Sequence, residues 1–202
     1  MNAAPTVFVV DDDQEVRDAL TLLMTSVGLA VEAFGSAQGF LDQFDPARPG
    51  CLLLDIRMKG MSGLDLQDRL AVEEVQPPVI IITGHGDVPM AVRAVKAGAV
   101  DFIEKPFKDQ VLLDSVFRAI ESDAENRGRV LQMADIGARL QRLTPRESEV
   151  LDMVVAGKRN KVIADELGIS QSTVEAHRAK VMDKMEAGSL SDLMRMMLSR
   201  RP

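Results

Sequence analysis

Tryptophan and tyrosine are absent, and the seven phenylalanines all lie between Phe8 and Phe117. The last third of the chain therefore holds no aromatic ring on which an unpaired base could stack, which argues against single-stranded nucleic acid as its ligand. The chain has one cysteine, Cys51. It cannot close an internal disulfide, and within an apolar run it reads as a small buried hydrophobe rather than a reactive thiol. No apolar run approaches the ~20 residues that a membrane span needs. Met1-Asn2-Ala3-Ala4-Pro5 lacks a basic region followed by an apolar stretch, so no secretory signal is expected. These absences point to a cytoplasmic protein with no membrane partner.

What is present divides the chain in two. At 202 residues it is long for one average domain and comfortable for two small ones. With 46% hydrophobic and 27% charged residues it can bury a sizeable core. The net charge of −7 hides an asymmetry. Residues 1–123 carry 10 Lys and Arg against 20 Asp and Glu, a net −10. Residues 124–142 carry 4 against 2, and residues 143–202 carry 10 against 9. That shift, with the confinement of phenylalanine to the first part, supports a domain boundary between them.

Residues 6–121 alternate between strand-like and helix-like stretches. The patterning predicts strands at 6–10, 30–34, 51–55, 78–83 and 101–104, and helices near 14–27, 36–44, 63–75, 88–97 and 109–121. Near-continuous apolar runs such as Val79 to Ile82 suit strands buried on both faces of a parallel sheet. Gly28, Gly63, Gly84 and Gly98 punctuate the joins. Five such units predict an α/β domain, a doubly wound five-stranded parallel sheet between two layers of helices.

Four of the runs end in a reactive polar residue. Asp11 and Asp12 follow Val7–Val10, Asp55 follows Cys51–Leu54, Thr83 follows Val79–Ile82, and Lys105 follows Asp101–Glu104. Singly, each has a structural explanation: Asp12 or Asp13 as a helix cap, Asp55 as a turn residue, Thr83 as a capping hydroxyl, Lys105 as a solvated charge. Together they fall at strand carboxyl ends, which converge on the crevice where open parallel sheets bind ligands. Carboxylates that close to one another repel and need a cation or protons to coexist. Hard oxygen donors favour Mg²⁺, or Mn²⁺ in its place, and the lysine supplies a point charge for a phosphoryl group.

These motifs give a resemblance. Val-Val-Asp-Asp at 9–12, Leu-Asp-Ile-Arg-Met at 54–58, Gly60 with Met61-Ser62-Gly63, Thr83-Gly84-His85 and Lys105-Pro106-Phe107 resemble, in order and spacing, the receiver domain of two-component response regulators over about residues 5–122. Thr83–Pro89 and Lys96–Phe102 are similar to the FixJ branch of the FixJ/NarL family. The resemblance implies a flavodoxin-like receiver at 1–122, with Asp55 as phosphoacceptor and Asp11, Asp12, Asp55 and the Arg57 carbonyl as Mg²⁺ ligands. It further implies that Thr83 and Lys105 contact the phosphoryl group, that Thr83 and Phe102 form a switch, and that the Lys105-Pro106 bond is cis. On phosphorylation a homodimer is expected through Val88, Val92, Lys96 and Asp101. One position departs: Lys59 stands where the family usually has proline, which leaves the loop beside Asp55 less rigid and more basic.

Residues 123–141 place Val130, Met133, Ile136 and Leu140 at near-helical spacing among arginines, and predict a partly helical linker. From 142 to 202 the pattern is all-α with four helices. Thr144, Pro145 and Glu147 form a capping box, Gly168 marks a tight turn, and Ser170 caps a helix of about 171–185. That is a helix-turn-helix arrangement. The second of its helices buries Val174, Val181 and Met185 and leaves Ser172, Glu175, Ala176 and Ala179 on the opposite face, small enough to approach base edges. Lys158, Arg159, Lys161, Arg178 and Lys180 are placed as phosphate contacts. Leu143–Glu147, Asn160–Ala164, Leu167–Ser170 and Thr173–Arg178 resemble the LuxR-type DNA-binding domain, which adds Asn160 and Thr173 to the predicted surface.

The resemblance as a whole implies a phosphorylation-switched transcription regulator and not an enzyme. Its partners would be a sensor histidine kinase, double-stranded promoter DNA and RNA polymerase. Two readings compete with it. Asp11-x-Asp13 after a strand resembles the nucleophile motif of haloacid-dehalogenase-type phosphohydrolases, although Glu15 stands where that motif needs Thr or Val. A phosphorylated adaptor that binds protein through residues 143–202 is the other.

Overall fold

The structure, a computed structural model, describes residues 4–71, 76–84 and 86–199. The chain forms two compact units, residues 1–127 and 128–202. In the first, β1 (Thr6–Val10), β2 (Ala30–Phe34), β3 (Gly50–Leu54), β4 (Val79–Thr83) and β5 (Asp101–Glu104) pair in parallel in the order β2-β1-β3-β4-β5. They alternate with α1 (Gln14–Ser26), α2 (Ala37–Leu41), α3 (Gly63–Leu70), α4 (Val88–Lys96) and α5 (Asp109–Gln141). A parallel pair needs a crossover, and each crossover lays a helix on a face of the sheet.

Because side chains alternate along a strand, each central strand feeds two cores. Phe8, Val10, Leu52, Leu54 and Ile81 pack with Phe34, Phe40, Leu64, Leu66, Leu70 and Ala94, which come from β2, α2, α3 and α4. Val7, Val9, Leu53, Ile80 and Ile82 pack on the other face with Leu20 and Met24 of α1 and Leu112, Val116 and Ala119 of α5. β1, β3 and β4 are buried throughout. At about 1.5–3 kcal/mol for each large apolar side chain taken from water, these two layers fix the sheet, and with it the positions of the residues just past its strands. The fully buried Cys51 belongs to the second layer, and burial pushes its thiol up to about 12, which leaves it inert at neutral pH.

Three elements differ from the sequence expectation. The regular part of α2 stops at Leu41 rather than near residue 44, and the Gln43 and Phe44 N–H groups both fall back on the Phe40 carbonyl, so the expected last turn is present only as a tightened end. α3 ends at Leu70 with Ala71 as its C-cap, and residues 72–75 of the predicted 63–75 helix lie outside the described residues. α5 runs unbroken from Asp109 to Gln141, where a helix to 121 and a partly helical linker were expected. Gly128 and Gly137 within it cost about 1 kcal/mol each. The i,i+4 pairs Asp123–Arg127 (2.8 Å) and Asp135–Arg139 (2.7 Å) support it locally. Arg127 also donates to the carbonyls of Pro46 and Arg48, and buried Asp123 accepts the Gly50 N–H at 2.9 Å, so this turn of α5 is tied to the loop before β3.

The second unit contains α6 (Pro145–Val155), α7 (Asn160–Leu167), α8 (Gln171–Lys184) and α9 (Leu190–Leu198) around Ile136, Val150, Leu151, Val154, Ile163, Val174, Val181, Met185 and Leu193. α7 closes on Gly168 at φ 65°, in the left-handed region that glycine enters without strain, and two residues later Ser170 caps α8. The capping box at Thr144 does more than start α6. Glu147, 3% exposed, accepts from the Thr144 N–H at 2.8 Å and from Lys184 Nζ at 2.6 Å, and Lys184 also reaches the Arg142 carbonyl. The hydrogen bond from Lys184, followed by that from the Thr144 backbone, pulls the Glu147 carboxyl from 4.5 to about 2.

A carboxyl held below its unfolded value stabilises the fold above pH 4.5, and that contribution is lost as pH falls towards about 2. Glu147→Gln should therefore lower the melting midpoint of the helical unit at neutral pH. It should also flatten the loss of stability between pH 4.5 and 2 relative to the parent. Thermal melts followed by far-ultraviolet circular dichroism across that range check both.

Candidate functional site

The pocket at the carboxyl edge of the sheet is set by backbone pairing that runs one residue past the strands. The Asp11 N–H donates to the Phe34 carbonyl at 3.2 Å, the Asp55 N–H to the Val10 carbonyl at 2.9 Å, and the Lys105 N–H to the Thr83 carbonyl at 2.8 Å. Asp11, Asp55 and Lys105 are thus held by the same ladders that hold the core. Lys105 Nζ lies 2.8 Å from Asp11 Oδ2 and 3.3 Å from Asp55 Oδ1, which bridges two carboxylates that are 3% and 8% exposed. The Lys105-Pro106 peptide is cis, as the resemblance implies.

Each member of the pocket has further partners. Asp55 Oδ2 accepts the Arg57 N–H at 2.7 Å. Asp11 Oδ1 accepts the Asp13 N–H at 2.9 Å, while Arg17 donates to the Asp11 carbonyl at 2.6 Å. Asp13, and not Asp12, caps α1, through the Glu15 N–H. Asp12, half-buried, accepts the Lys59 N–H at 3.3 Å. Gly63, at the start of α3, runs so close beneath Asp55 that a Cβ there would stand 2.1 Å from the Asp55 carbonyl oxygen. Only glycine allows α3 to begin there.

The electrostatics are those of a desolvated acid pair around one base. Burial pushes the Asp55 carboxyl above its ordinary range. Lys105 opposes that shift, the Asp11 charge adds to it, and the Arg57 N–H opposes it. Burial alone would lower the Lys105 ammonium, but the hydrogen bond and charge of Asp11, together with Asp55, hold it above its usual value. Among the described residues no three carboxylate, thiol or imidazole groups converge tightly enough to hold a metal ion as the side chains stand. The donor set nevertheless suits one. Two buried carboxylates share a single ammonium, and Asp12 follows Asp11 in the chain at the same end of the sheet. A hard divalent cation takes oxygen ligands of this kind.

Thr83 is buried at the end of β4. A Cβ at Gly86 would come 2.9 Å from the Phe102 ring and 3.5 Å from the Thr83 methyl, so ring and hydroxyl residue flank one point of the following loop. His85 lies outside the described residues. On α4, Val88 (77% exposed), Val92 and Lys96 face solvent. Val95 and Val100, which sequence reasoning missed, extend that apolar surface. Asp101 is half-buried and accepts from Ser115 and Arg118 of its own chain, so its carboxylate is already engaged.

In the second unit, α8 exposes Ser172, Thr173, Glu175, Ala176, Ala179 and Lys180. Arg159 and Lys161, at the start of α7, are exposed as well. Lys158 is paired with Glu166 at 2.5 Å. Arg178 is half-buried and donates to Asn160 Oδ1 at 2.8 Å, while Asn160 Nδ2 lies 3.5 Å from Glu175. The predicted surface is therefore contiguous across α7 and α8. Nothing local in the sequence signals the Asn160–Arg178 contact, because it joins residues 18 apart.

Comparison with known proteins agrees with this geometry. Residues 7–117 match the response regulator receiver domain, and residues 141–197 match the bacterial regulatory proteins of the luxR family. Nodulation protein W of Bradyrhizobium diazoefficiens is 50% identical over 190 residues, spanning 94% of this chain and 84% of that protein. Transcriptional regulatory protein FixJ of Rhizobium meliloti is 50% identical over 194 residues, spanning 96% and 95%. Among solved structures, the response regulator StyR superposes with a TM-score of 0.87 at 44% identity, over 97% of this chain and 99% of that one. Full-length FixJ from B. japonicum superposes with a TM-score of 0.58 at 43% identity, over 96% of each.

The raised Asp55 carboxyl has a consequence for stability. An acid whose folded value lies above its unfolded one favours folding while protonated, and it loses that advantage as pH rises and it ionises. Asp55→Asn keeps the acceptor oxygen and removes the buried charge. It should raise the thermal midpoint of the metal-free chain at neutral pH, and the difference from the parent should close below the carboxylate range. A lower midpoint at neutral pH would contradict the electrostatics described.

Proposed function

The chain belongs to the two-component response regulators that carry a LuxR-type DNA-binding domain, and from that premise we propose that it is switched by phosphorylation of Asp55. It is a FixJ-like transcription regulator by its two domains and its relatives. Membership of this family sets aside the phosphohydrolase reading. The observation that carries the proposal is the Lys105 ammonium bridging Asp11 and Asp55 at the convergent strand ends.

In this reading a carboxylate oxygen of Asp55 attacks the phosphorus of a phosphohistidine on a sensor kinase. The P–O bond forms as the P–N bond breaks, and the imidazole leaves with the electron pair and takes up a proton. Lys105 exchanges its contact with Asp55 for one with the incoming phosphoryl oxygens, where its charge is needed in a loose transition state. The Arg57 N–H, already bonded to Asp55 Oδ2, orients the carboxylate. Asp11, Asp12, Asp55 and the Arg57 carbonyl would hold Mg²⁺, which when bound neutralises charge on the transferring group. The chain accepts a phosphoryl group and turns over no substrate of its own.

The product carries about two negative charges and three acceptor oxygens. Thr83 turns its hydroxyl towards them, and the Phe102 ring beside it moves into the space released. That biases the α4–β5 surface towards a homodimer, in which Val88, Val92, Val95 and Val100 supply the apolar contact and Lys96 a charge at its edge. A dimer presents two copies of α8 to promoter DNA, and the two half-sites need to lie about 10–10.5 base pairs apart or at a multiple of that. Arg159 and Lys161 contact phosphates, and Lys158 joins them if it leaves Glu166. RNA polymerase is the downstream partner, activation the expected outcome, and the cytoplasm the compartment. No helix among the described residues is long and apolar enough to cross a membrane.

Acetyl phosphate with Mg²⁺ should shift the full chain from monomer towards dimer in sedimentation and tighten its binding to target duplex. Asp55→Asn should show neither change. In the parent, replacing Lys158, Arg159 and Lys161 together should reduce the slope of log affinity against log salt by about 0.9 for each phosphate left without its cation. Phosphoryl-dependent DNA binding in Asp55→Asn would refute the assignment. An unchanged salt slope would remove the three cations from the interface.

A further inference from the structure

α8 presents one stripe of side chains at the i, i+3, i+4, i+7 spacing that shares a helix face: Ser172, Glu175, Ala176 and Ala179, all exposed. Three of the four are too short to reach far beyond the helix surface. Glu175 alone has the length to probe the floor of a groove. Among the described residues it has no ion pair, although Arg178 lies one turn along the same helix. The reason is Asn160. Its Oδ1 accepts from Arg178 at 2.8 Å, which draws the guanidinium towards α7 and leaves the Asn160 amino group on the Glu175 side, 3.5 Å from Oε1. Glu175 thus meets a neutral donor rather than a cation.

We propose that Glu175 is a specificity-determining residue that selects cytosine in the major groove, with Asn160 as its positioning residue. The proposal rests on the reading of α8 as the helix that enters DNA. A bare carboxylate among phosphates is repelled unless a base offers it a hydrogen. Guanine O6 and N7 and thymine O4 are acceptors and add to the repulsion. Adenine has an amino group, but its N7 lone pair lies beside it. That pairing suits a side-chain amide, which both donates and accepts. Cytosine offers the N4 amino group with the paired guanine O6 on one side only and its own C5–H on the other, so a carboxylate can accept there from the open side, whereas adenine N6 sits between two acceptors. Glu175 then acts mainly by exclusion: it adds little affinity and rejects the other three bases at one position of each half-site. The alanines beside it let the backbone of α8 come close enough for this reach.

The test is selection of bound duplexes from a randomised pool by the full chain treated with acetyl phosphate and Mg²⁺. Parent and variants are matched for helical content. The parent should prefer cytosine at one position of each half-site by about 5- to 150-fold, the range of a good base contact. Glu175→Ala should bind duplex and lose preference at that position alone. Glu175→Gln should move the preference to adenine, and Glu175→Lys to guanine. Asn160→Ala should weaken the same preference without changing the salt dependence, whereas a purely structural role would lower affinity at every position alike. An undiminished cytosine preference in Glu175→Ala would overturn the proposal and leave the DNA reading intact. A parent chain with no sequence preference would overturn the DNA reading of α8 itself, and the proposal with it.

Discussion

One ammonium shared between two buried carboxylates organises the first unit. Asp11 and Asp55 are carried into low-dielectric surroundings by β1 and β3, whose apolar side chains leave no freedom to move them out again. Taking away Lys105 would leave both carboxylates buried without a counter-charge, a loss that typically costs several kcal/mol, whereas Asp55→Asn leaves the Lys105–Asp11 pair intact. Burial pushes the Asp55 carboxyl up, and Lys105 opposes that shift. The pocket is therefore poised for more positive charge and for a ligand that brings oxygen acceptors to Lys105.

That pocket was legible in the sequence because parallel strands buried on both faces write themselves as apolar runs, and the residue after each run lands at the crevice. The register of β1 against β3, with Val10 opposite Leu54, then makes Asp11 and Asp55 neighbours. Backbone donors were not legible. The Lys59 N–H that reaches Asp12 has no side-chain signature, although the absence of proline at that position is what leaves a donor there. The closeness of Gly63 to the Asp55 carbonyl was equally hidden, since it is a property of two backbones meeting.

Elsewhere the sequence misled where tertiary anchoring overruled local preference. The stretch 123–141, with apolar residues at near-helical spacing among arginines, reads as a partly helical linker, yet it is helical throughout. Its ion pairs and the burial of Ile136 outweigh the local cost. Asp101 reads as a free carboxylate on a contact face, and Ser115 and Arg118, more than a dozen residues later, already occupy it. Arg178 reads as a phosphate contact, and its tie to Asn160 also keeps a cation away from Glu175. In the helical unit as in the sheet, what the side chains can do is decided by which charges are left without a counter-charge.

The central claim is that Asp55 takes the phosphoryl group. Incubating the full chain with acetyl phosphate and Mg²⁺, then weighing the intact protein and mapping the adduct by peptide, tests it most directly. A single phosphoryl adduct is expected on the peptide that contains Asp55, absent from Asp55→Asn and strongly reduced in Lys105→Ala. An adduct of equal yield on Asp55→Asn would contradict it.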